Sequence, residues 1–147
     1  MERQNKKAEG EKGVAIVIGE LAKKGIQVAF PLSDNLPFDI ILIYKGKLYK
    51  AQVKSGRRKH KNAQGSFSFK LTTNNWYSKT ITKYTGDDID VMVLCDYEKI
   101  FLLGPKDFSG RSSFNIRNEA PKNGQKKGIN LAEDFVLCDK RIAEILA

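Results

Sequence analysis

The chain has 147 residues, of which 41% are hydrophobic and 29% charged, a composition typical of one soluble globular domain, here residues 1–147. No apolar run reaches the roughly 18–20 residues that a membrane-spanning helix needs, and the first residues are polar, so we expect a cytoplasmic protein without a membrane partner. The single histidine, His60, and two distant cysteines, Cys95 and Cys138, exclude a histidine-centred metal site and argue against a disulfide framework.

The first third of the sequence predicts one helix followed by three strands. Residues 6–24 predict the helix, which Gly25 ends as a C-terminal cap. Residues 28–31 predict a short strand. Residues 38–44 and 47–54 predict two longer strands, which a turn at Lys45 and Gly46 joins into a hairpin.

The rest of the chain alternates loops with apolar strands. Residues 55–66 predict an exposed basic loop and residues 67–71 a strand, whereas residues 72–84 fit either a short helix or an extended linker. Residues 89–97 and 99–104 predict a second strand pair, with Cys95 as a buried, inert thiol. One more strand at 112–116 and a loop precede a C-terminal helix. This order of elements indicates an α/β or α+β domain with a mixed sheet.

Three polar residues on the predicted hairpin are candidates for a chemical site. Side chains alternate along a strand, so Gln52 and Lys54 point to one face of the sheet and Val53 to the other. Asp39 opens the neighbouring strand, from which a carboxylate can reach Gln52 and Lys54. Taken singly, Asp39 is equally well explained as a turn residue, and Lys54 as an edge lysine that prevents aggregation. Their convergence beside a basic loop favours a functional site.

The first helix carries an acidic residue on its predicted packing face. At roughly 100° per residue, Glu11 lies near the middle of an apolar stripe, whereas Glu9 and Glu20 face away. A buried carboxylate needs a partner or a metal. Alternatively, Glu11 lies in the first helical turn and interacts favourably with the helix dipole. The residues of the stripe are Val14, Ala15, Ile18, Leu21 and Ala22.

The positive charge of the chain is clustered. The formal net charge is +9, with eight Lys and Arg residues between Lys45 and Lys61 and a second basic group around residues 118–128. Such clusters suit a polyanion, and nucleic acid is favoured over a membrane because neither cluster lies on an amphipathic helix. The residues expected to contact DNA are Arg57, Arg58, Lys59, Lys61, Lys122, Asn123, Gln125, Lys126 and Lys127.

Three ordered motifs resemble the PD-(D/E)xK nuclease superfamily. They are GE at residues 10–11, PFD at 37–39 and AQVKSG at 51–56. The chain is also similar to the group I intron-associated homing endonucleases, in SDN at 33–35, QVKSGR at 52–57, YTGDDID at 84–90 and the block at 121–135. The ordered combination is more specific than the short D…QxK pattern, and it extends over nearly the whole chain.

This resemblance implies a restriction-endonuclease-like core, in which helices flank a mixed central sheet. It also implies a Mg²⁺-dependent endonuclease that hydrolyses phosphodiester bonds in double-stranded DNA. On this basis Asp39, Gln52 and the Val53 carbonyl bind the metal, and Glu11 binds it directly or through water. Lys54 orients the attacking water and helps to deprotonate it. Most of the superfamily has Glu or Asp where this chain has Gln52, whose neutral amide is a weaker ligand.

Two other functions fit the same residues. A Holliday-junction resolvase of the same superfamily shares this core and binds branched DNA by its shape. A non-catalytic DNA-binding module would keep the fold without cleavage, and Gln52 is the only indication for it. Because a single site must be duplicated to cut both strands, we expect a homo-oligomer, either a dimer or a tetramer.

Overall fold

The computed structural model describes residues 2–56, 58–59, 65–75 and 77–147. Its first element is helix α1 (Glu2–Lys23), which begins earlier than predicted. The cap predicted at Gly25 is confirmed: Gly25 has a φ of 75°, and the N–H groups of Gly25 and Ile26 donate to the carbonyls of Ala22 and Leu21 at 3.0 Å. These two bonds satisfy the last carbonyls of the helix, and glycine adopts the left-handed conformation without strain.

The central sheet is mixed, as predicted. The strands of the described residues are β1 (Gln27–Ala29), β2 (Ile40–Tyr44), β3 (Lys47–Ser55), β4 (Arg58–Lys59), β5 (Ser66–Lys70), β6 (Thr73–Asn75), β7 (Thr80–Thr82), β8 (Val91–Cys95), β9 (Ile100–Leu103) and β10 (Ser113–Arg117). Five of them form the central sheet in the order β1-β2-β3-β8-β9, in which only the β3–β8 pair is parallel.

Cys95 is fully buried at the end of β8, as predicted, and burial raises the pKa of its thiol.

The predicted hairpin joins β2 to β3 through two residues. Lys45 and Gly46 both have positive φ, 49° and 76°, as a type I′ turn requires. The turn sets a register in which Ile40 pairs with Ala51, so that Asp39, one residue before β2, lies opposite Gln52. The hairpin therefore brings two of the candidate residues to neighbouring positions.

Helix α1 contacts one face of this sheet through a line of buried residues, Gly13, Val17 and Leu21. The predicted apolar stripe is wrong at Ala15 and Ala22, which are exposed, and Glu11 is exposed rather than on the packing face. The reason is a close contact with β3: a Cβ atom at Gly13 would lie 1.8 Å from Ser55 Oγ. The helix therefore turns its smallest residue toward the strand.

The opposite face of the central sheet is covered by a second, three-stranded sheet in the order β10-β5-β4. Phe67, Phe69 and Phe114 of this sheet form a second hydrophobic core with Leu94 and Phe101 of the central sheet. Next along the chain, β6 and β7 form an exposed antiparallel hairpin. Residues 72–84 are thus neither of the predicted alternatives, because the segment folds back on itself.

Within the described ranges, three short helices complete the fold. They are α2 (Pro105–Phe108), α3 (Ala132–Phe135) and α4 (Asp139–Ile145), of which α4 is the predicted C-terminal helix. The guanidinium of the buried Arg141 donates to the Leu102 carbonyl at 3.0 Å, to Asp107 at 2.8 Å and to Glu144 at 3.1 Å, which attaches α4 to β9 and α2. Among the described residues no helix has both the length and the apolar character needed to cross a bilayer.

Candidate active site

A cleft lies between the N-terminal half of α1 and the end of β3 that follows Val53. Four of the five predicted site residues line it: Glu11, Asp39, Val53 and Lys54. The helix and the strand approach each other closely at Gly13 and Ser55, and Ser55 also lines the cleft. A site assembled from α1, the start of β2 and the end of β3 is therefore present in the fold.

Asp39 is anchored to β3 through both its main chain and its side chain. Its N–H donates to the Ala51 carbonyl at 2.9 Å, and its Oδ2 accepts a hydrogen bond from the Val53 N–H at 3.1 Å. Partial desolvation raises the pKa of Asp39 above the usual aspartate value, although the bond from Val53 and the nearby charge of Lys54 act in the opposite direction. The Asp39 carboxyl group is therefore held at the cleft through Oδ2, and Oδ1 takes no part in the hydrogen bond from Val53.

The Val53 carbonyl points to the same side of β3 as the Asp39 carboxyl group. In a strand the N–H and C=O of one residue point in the same direction, and the Val53 N–H points to Asp39. The paired part of β2 begins at Ile40, opposite Ala51, so β2 does not extend far enough to cover this side of Val53. A main-chain oxygen is thus available next to a carboxylate.

Gln52 lies opposite Asp39 in the hairpin register but is set further inside the molecule. It is 8% exposed and is not one of the residues that line the cleft. In the described part of the chain, no residue forms a hydrogen bond with its side-chain amide. The amide oxygen therefore has no protein donor there that a ligand would have to displace.

Lys54 is held on the opposite side of β3 from α1, where it contacts residues of the second core. Its Nζ donates to the Thr72 carbonyl at 3.0 Å and to Thr73 Oγ1 at 2.8 Å, and it lies 5.4 Å from the centre of the Tyr84 ring. Burial lowers the pKa of Lys54 to about 8; Asp39 raises it, and the positive charge of Lys70 lowers it further. Lys54 is therefore a cation whose proton is unusually easy to remove.

Three residues that sequence reasoning missed hold this arrangement together. Gly13 allows the close approach of α1 to β3. Thr73 accepts the Lys54 hydrogen bond and shares another with the Tyr84 hydroxyl. A glycine inside a helix was the available signal for Gly13. Thr73 and Tyr84 contact Lys54 across 19 or more residues, and such distant contacts left no pattern in the sequence.

The predicted DNA-binding residues fall into two groups. Lys122, Asn123, Gln125, Lys126 and Lys127 are all exposed in the loop after β10, where Gly124 has a φ of 73° and the Gln125 N–H donates to Asn123 Oδ1 at 3.0 Å. Arg57 and Lys61 lie outside the described residues. Arg58 and Lys59 form β4, of which the backbone is described.

The donor atoms at the cleft determine which metal the site suits. In the described ranges there is no group of three or more His, Cys, Asp or Glu side chains that could hold a metal ion. The cleft instead offers two carboxylates, from Asp39 and Glu11, and the main chain of Val53, whereas Gln52 lies opposite Asp39 in the strand register without lining the cleft. An all-oxygen donor set with few protein ligands fits Mg²⁺, which keeps several bound waters, better than zinc or copper.

Comparison with known proteins identifies the class to which this fold and site belong. A family model described as PD-(D/E)XK endonuclease matches residues 4–138, and the chain belongs to this family. The resemblance to PD-(D/E)xK nucleases, which the motifs at residues 10–56 indicated, is confirmed.

Among solved structures, the chain is similar to the bacterial homing endonuclease I-Ssp6803I. The two share 26% sequence identity over 82% of each chain, with a TM-score of 0.63. The predicted restriction-endonuclease-like fold and the resemblance to homing endonucleases are thereby confirmed. The structure of MepB also matches, at 13% identity over 67% of this chain and 76% of that chain, with a TM-score of 0.36. None of the curated proteins has a matching sequence.

Proposed function

We propose that this nuclease is a Mg²⁺-dependent endonuclease that hydrolyses phosphodiester bonds in double-stranded DNA, in the manner of a homing endonuclease. The observation that carries the proposal is the convergence of Asp39, the Val53 carbonyl and Lys54 at the end of β3, next to Glu11 in one cleft. The similarity to a bacterial homing endonuclease supports the choice of DNA as substrate.

The carboxylates and the carbonyl would hold the metal. Asp39 and the Val53 carbonyl would bind it as one rigid pair, because the hydrogen bond between the two residues sets their separation. Gln52 would contribute its amide oxygen, and Glu11 would bind across the cleft directly or through water. When bound, the metal ion supplies positive charge that stabilises the phosphate oxygens as negative charge develops on them.

Lys54 would orient the attacking water and receive its proton. The carbonyl of Thr72 and the hydroxyl of Thr73 hold the amine in place, so it is positioned before the substrate arrives. A pKa of about 8 leaves roughly a tenth of the Lys54 amine neutral at pH 7, far more than for a lysine with the usual pKa, and the neutral form is the one that can accept a proton. The same amine, once protonated, is a cation beside the scissile phosphate.

Duplex DNA as the substrate agrees with the distribution of charge. Lys6 and Lys7 line the same cleft as Lys54, and the exposed loop after β10 carries three more lysines. A backbone bearing one phosphate per nucleotide on each strand would contact several such cations together. We further propose that the chain acts as a dimer or a tetramer, since the described residues of each chain form one candidate active site and two strands must be cut.

The decisive experiment measures cleavage of supercoiled plasmid, linear duplex and four-way-junction DNA with and without Mg²⁺. Asp39→Asn and Lys54→Met should each reduce the cleavage rate by about 100-fold or more while DNA binding persists. Glu11→Gln should also reduce it. Glu20→Gln is the matched control, because Glu20 lies on the same helix, pairs with Lys23 at 3.0 Å and is absent from the cleft.

Each alternative has its own outcome in this experiment. Cleavage of the four-way junction alone would replace the proposed function with junction resolution. DNA binding without cleavage of any substrate would indicate a non-catalytic module. Cleavage by Lys54→Met at the wild-type rate would contradict the role given to Lys54.

A further inference from the structure

Tyr97 lines the cleft, but the proposed mechanism gives it no part. It lies in the connection between β8 and β9 and is half-buried. Its hydroxyl donates to the main-chain carbonyl of Glu9 in α1 at 3.4 Å, so it lies on the α1 side of the cleft, across β3 from the amine of Lys54. The cleft therefore has a hydroxyl on one side and an amine on the other.

The backbone of Tyr97 is held in a conformation that a tyrosine rarely adopts. Its φ is 71°, in the left-handed region, which is unfavourable for a residue with a Cβ atom. The Tyr97 N–H donates to Cys95 Sγ at 3.4 Å, and Asp96 Oδ1 accepts hydrogen bonds from the N–H groups of Glu98 at 3.0 Å and Lys99 at 2.6 Å, which fix the turn. Glycine or asparagine would form this turn with less strain, and such strain is concentrated at functional sites. The turn alone thus does not account for a tyrosine here.

The Tyr97 hydroxyl lies over the residue that follows β3. A Cβ atom at Gly56 would lie 3.9 Å from the hydroxyl oxygen, and the Gly56 N–H donates to the Cys95 carbonyl at 2.9 Å, which ties the ends of β3 and β8 together. Gly56 follows Lys54 by two residues, a distance of roughly 7 Å along an extended chain. Consecutive phosphates of a DNA strand are separated by a similar distance. One strand can therefore reach Lys54 and Tyr97 with neighbouring phosphates.

The hydroxyl can exchange its present acceptor for a phosphate oxygen. Its bond to the Glu9 carbonyl, at 3.4 Å, is long for a hydroxyl donor, whose usual distance is about 2.7–2.8 Å. A charged phosphate oxygen is a stronger acceptor than a carbonyl. Lys12 Nζ lies 5.1 Å from the centre of the Tyr97 ring, close enough for a cation–π contact that keeps the ammonium beside the ring. A neutral donor and a cation are thus neighbours on this side of the cleft.

The adjoining part of α1 favours an anion. Among residues 5–12, Lys6 and Lys7 line the cleft and Lys12 lies beside Tyr97, whereas the carboxylates are those of Glu9 and Glu11. In the proposed function Glu11 binds the metal, so its charge is balanced there. The charge of Glu9 then remains against three lysines, which leaves this side of the cleft positive.

We propose that the Tyr97 hydroxyl, with Lys12 beside it, binds the phosphate next to the scissile phosphate on the same DNA strand. This inference rests on the proposed function. The hydroxyl would donate to a non-bridging oxygen of that phosphate, and the Lys12 ammonium would balance the charge. The contact would hold the strand on the α1 side of the cleft and so orient the scissile phosphate for attack by water. Tyr97 is in this view a residue that positions the substrate.

The test replaces single phosphates by uncharged methylphosphonates in a synthetic duplex that contains a mapped wild-type cut. With the wild type, a methylphosphonate at the contacted position next to the cut should slow cleavage about ten-fold or more. Tyr97→Phe should slow cleavage of the unmodified duplex by a similar factor, and the same methylphosphonate should slow this variant much less, because the contact is already lost. At other positions the effects of the variant and of the methylphosphonate should multiply.

Two further variants make the result specific. Tyr44→Phe is the matched control, because Tyr44 is also half-buried, has Lys45 Nζ 5.2 Å from its ring centre and does not line the cleft. It should keep the wild-type rate and the wild-type response to each methylphosphonate. Lys12→Met gives an independent result and should reduce the response at the same phosphate as Tyr97→Phe does.

The outcomes separate this inference from the proposed function. If the wild type cleaves no duplex, the proposed function fails. If the wild type cleaves and Tyr97→Phe cleaves at the same rate, the inference about Tyr97 is wrong. Effects that multiply at every phosphate next to the cut would also overturn it, because they would show that Tyr97 acts through the turn and contacts no phosphate. Circular dichroism identifies any loss of folding in Tyr97→Phe, in which case Lys12→Met decides by the same comparison.

Discussion

Lys54 combines a low pKa with fixed hydrogen bonds. Its amine is desolvated against Tyr84 and Thr73, and Lys70 adds repulsion, so the charged form is disfavoured more than Asp39 favours it. A lysine that only protected a sheet edge would be solvated and would keep its usual pKa. The environment of Lys54 therefore favours a chemical role over the structural one.

This environment predicts how stability depends on pH. The pKa of Lys54 falls from 10.5 in the unfolded chain to about 8 in the folded chain, so the unfolded state binds more protons between these values. The contribution of Lys54 to stability is fully present above pH 10.5 and is lost as the pH falls through 8. Between pH 8 and 9.5 the metal-free wild type should gain stability relative to Lys54→Met, by at most about 1.4 kcal/mol per pH unit.

Denaturant unfolding of both proteins in EDTA measures this difference. Lys54→Met is the reference for the wild type, because the two proteins share every titrating group except Lys54. A difference in unfolding free energy that stays constant from pH 7 to 9.5 would show that the pKa of Lys54 is not lowered.

At the residue scale, alternation and a two-residue turn were enough to predict the positions of Asp39 and Lys54 on the hairpin, whereas Gln52 is buried and does not line the cleft with them. Strand periodicity separates Lys54 from Ala51 and Val53, which face α1, and the turn fixes the register. The same reasoning could not find Thr73, because its contact with Lys54 depends on how the chain returns after β5. Local rules predict the direction of a side chain, whereas its distant partners depend on the tertiary fold.

At the scale of elements, the position of Glu11 depends on how α1 rests on β3. The buried line through Gly13, Val17 and Leu21 decides which side of the helix faces the cleft. The packing face predicted from hydrophobic periodicity was incorrect because the method places the face by the positions of apolar residues. Glycine carries no such signal, so Gly13 was left out. The close approach at Ser55 makes Gly13 the centre of the contact.

Gly13→Ala should therefore impair both folding and cleavage. Its Cβ would lie 1.8 Å from Ser55 Oγ and 2.6 Å from Ser55 Cβ, so helix and strand must separate, at a cost of about 1–3 kcal/mol. The separation would also move Glu11 from Asp39. Cleavage rate and unfolding free energy are the two measurements.

Two further variants make this test specific. Gly19→Ala has nothing within 4 Å of the new Cβ, and should stabilise the helix by up to about 1 kcal/mol with unchanged cleavage. Combining Gly13→Ala with Ser55→Gly removes the colliding atoms and should restore part of the lost activity. A Gly13→Ala protein that cleaves like the wild type would show that the contact does not position Glu11.

Elements were predicted best where a local rule determines them. The Gly25 cap, the turn at Lys45 and Gly46 and the apolar pair β8–β9 all follow from such rules. Within residues 72–84, the two strands of the hairpin, β6 and β7, are exposed along their whole length, so they carry no buried face that hydrophobic periodicity could detect.

At the scale of the whole molecule, DNA binding should depend on where the charged residues lie as well as on the net charge of +9. The lysines at 122, 126 and 127 are exposed in one loop. Other lysines are already paired with carboxylates: Lys23 with Glu20 at 3.0 Å and Lys24 with Asp139 at 3.1 Å. Equal changes in net charge should therefore have unequal effects on DNA binding.

Replacing Lys122, Lys126 and Lys127 together by Ala should flatten the salt dependence of DNA affinity. Each lost phosphate contact lowers the slope of log K against log salt concentration by about 0.9, so the triple variant should lose up to about 3. The variant with Lys23, Lys24 and Lys140 replaced by Ala removes the same net charge and should keep the wild-type slope, because Lys140 is also paired, with Glu144 at 4.0 Å. Equal slopes for the two triple variants would mean that the loop contacts no phosphate.

The two edges of β3 reach their partners over very different lengths of chain, and this affects the order of folding. Only Lys45 and Gly46 separate β3 from β2, whereas the chain from Gly56 to Asp90 intervenes before β8. Hairpins close within microseconds, while parallel pairing must first overcome the entropy of a long loop. The hydrogen bond between Asp39 and Val53 therefore belongs to a unit that can form early in synthesis. Lys54 acquires its partners only after β5 has docked, so the nascent chain fixes the Asp39 carboxylate against Val53 before it holds the Lys54 amine in place.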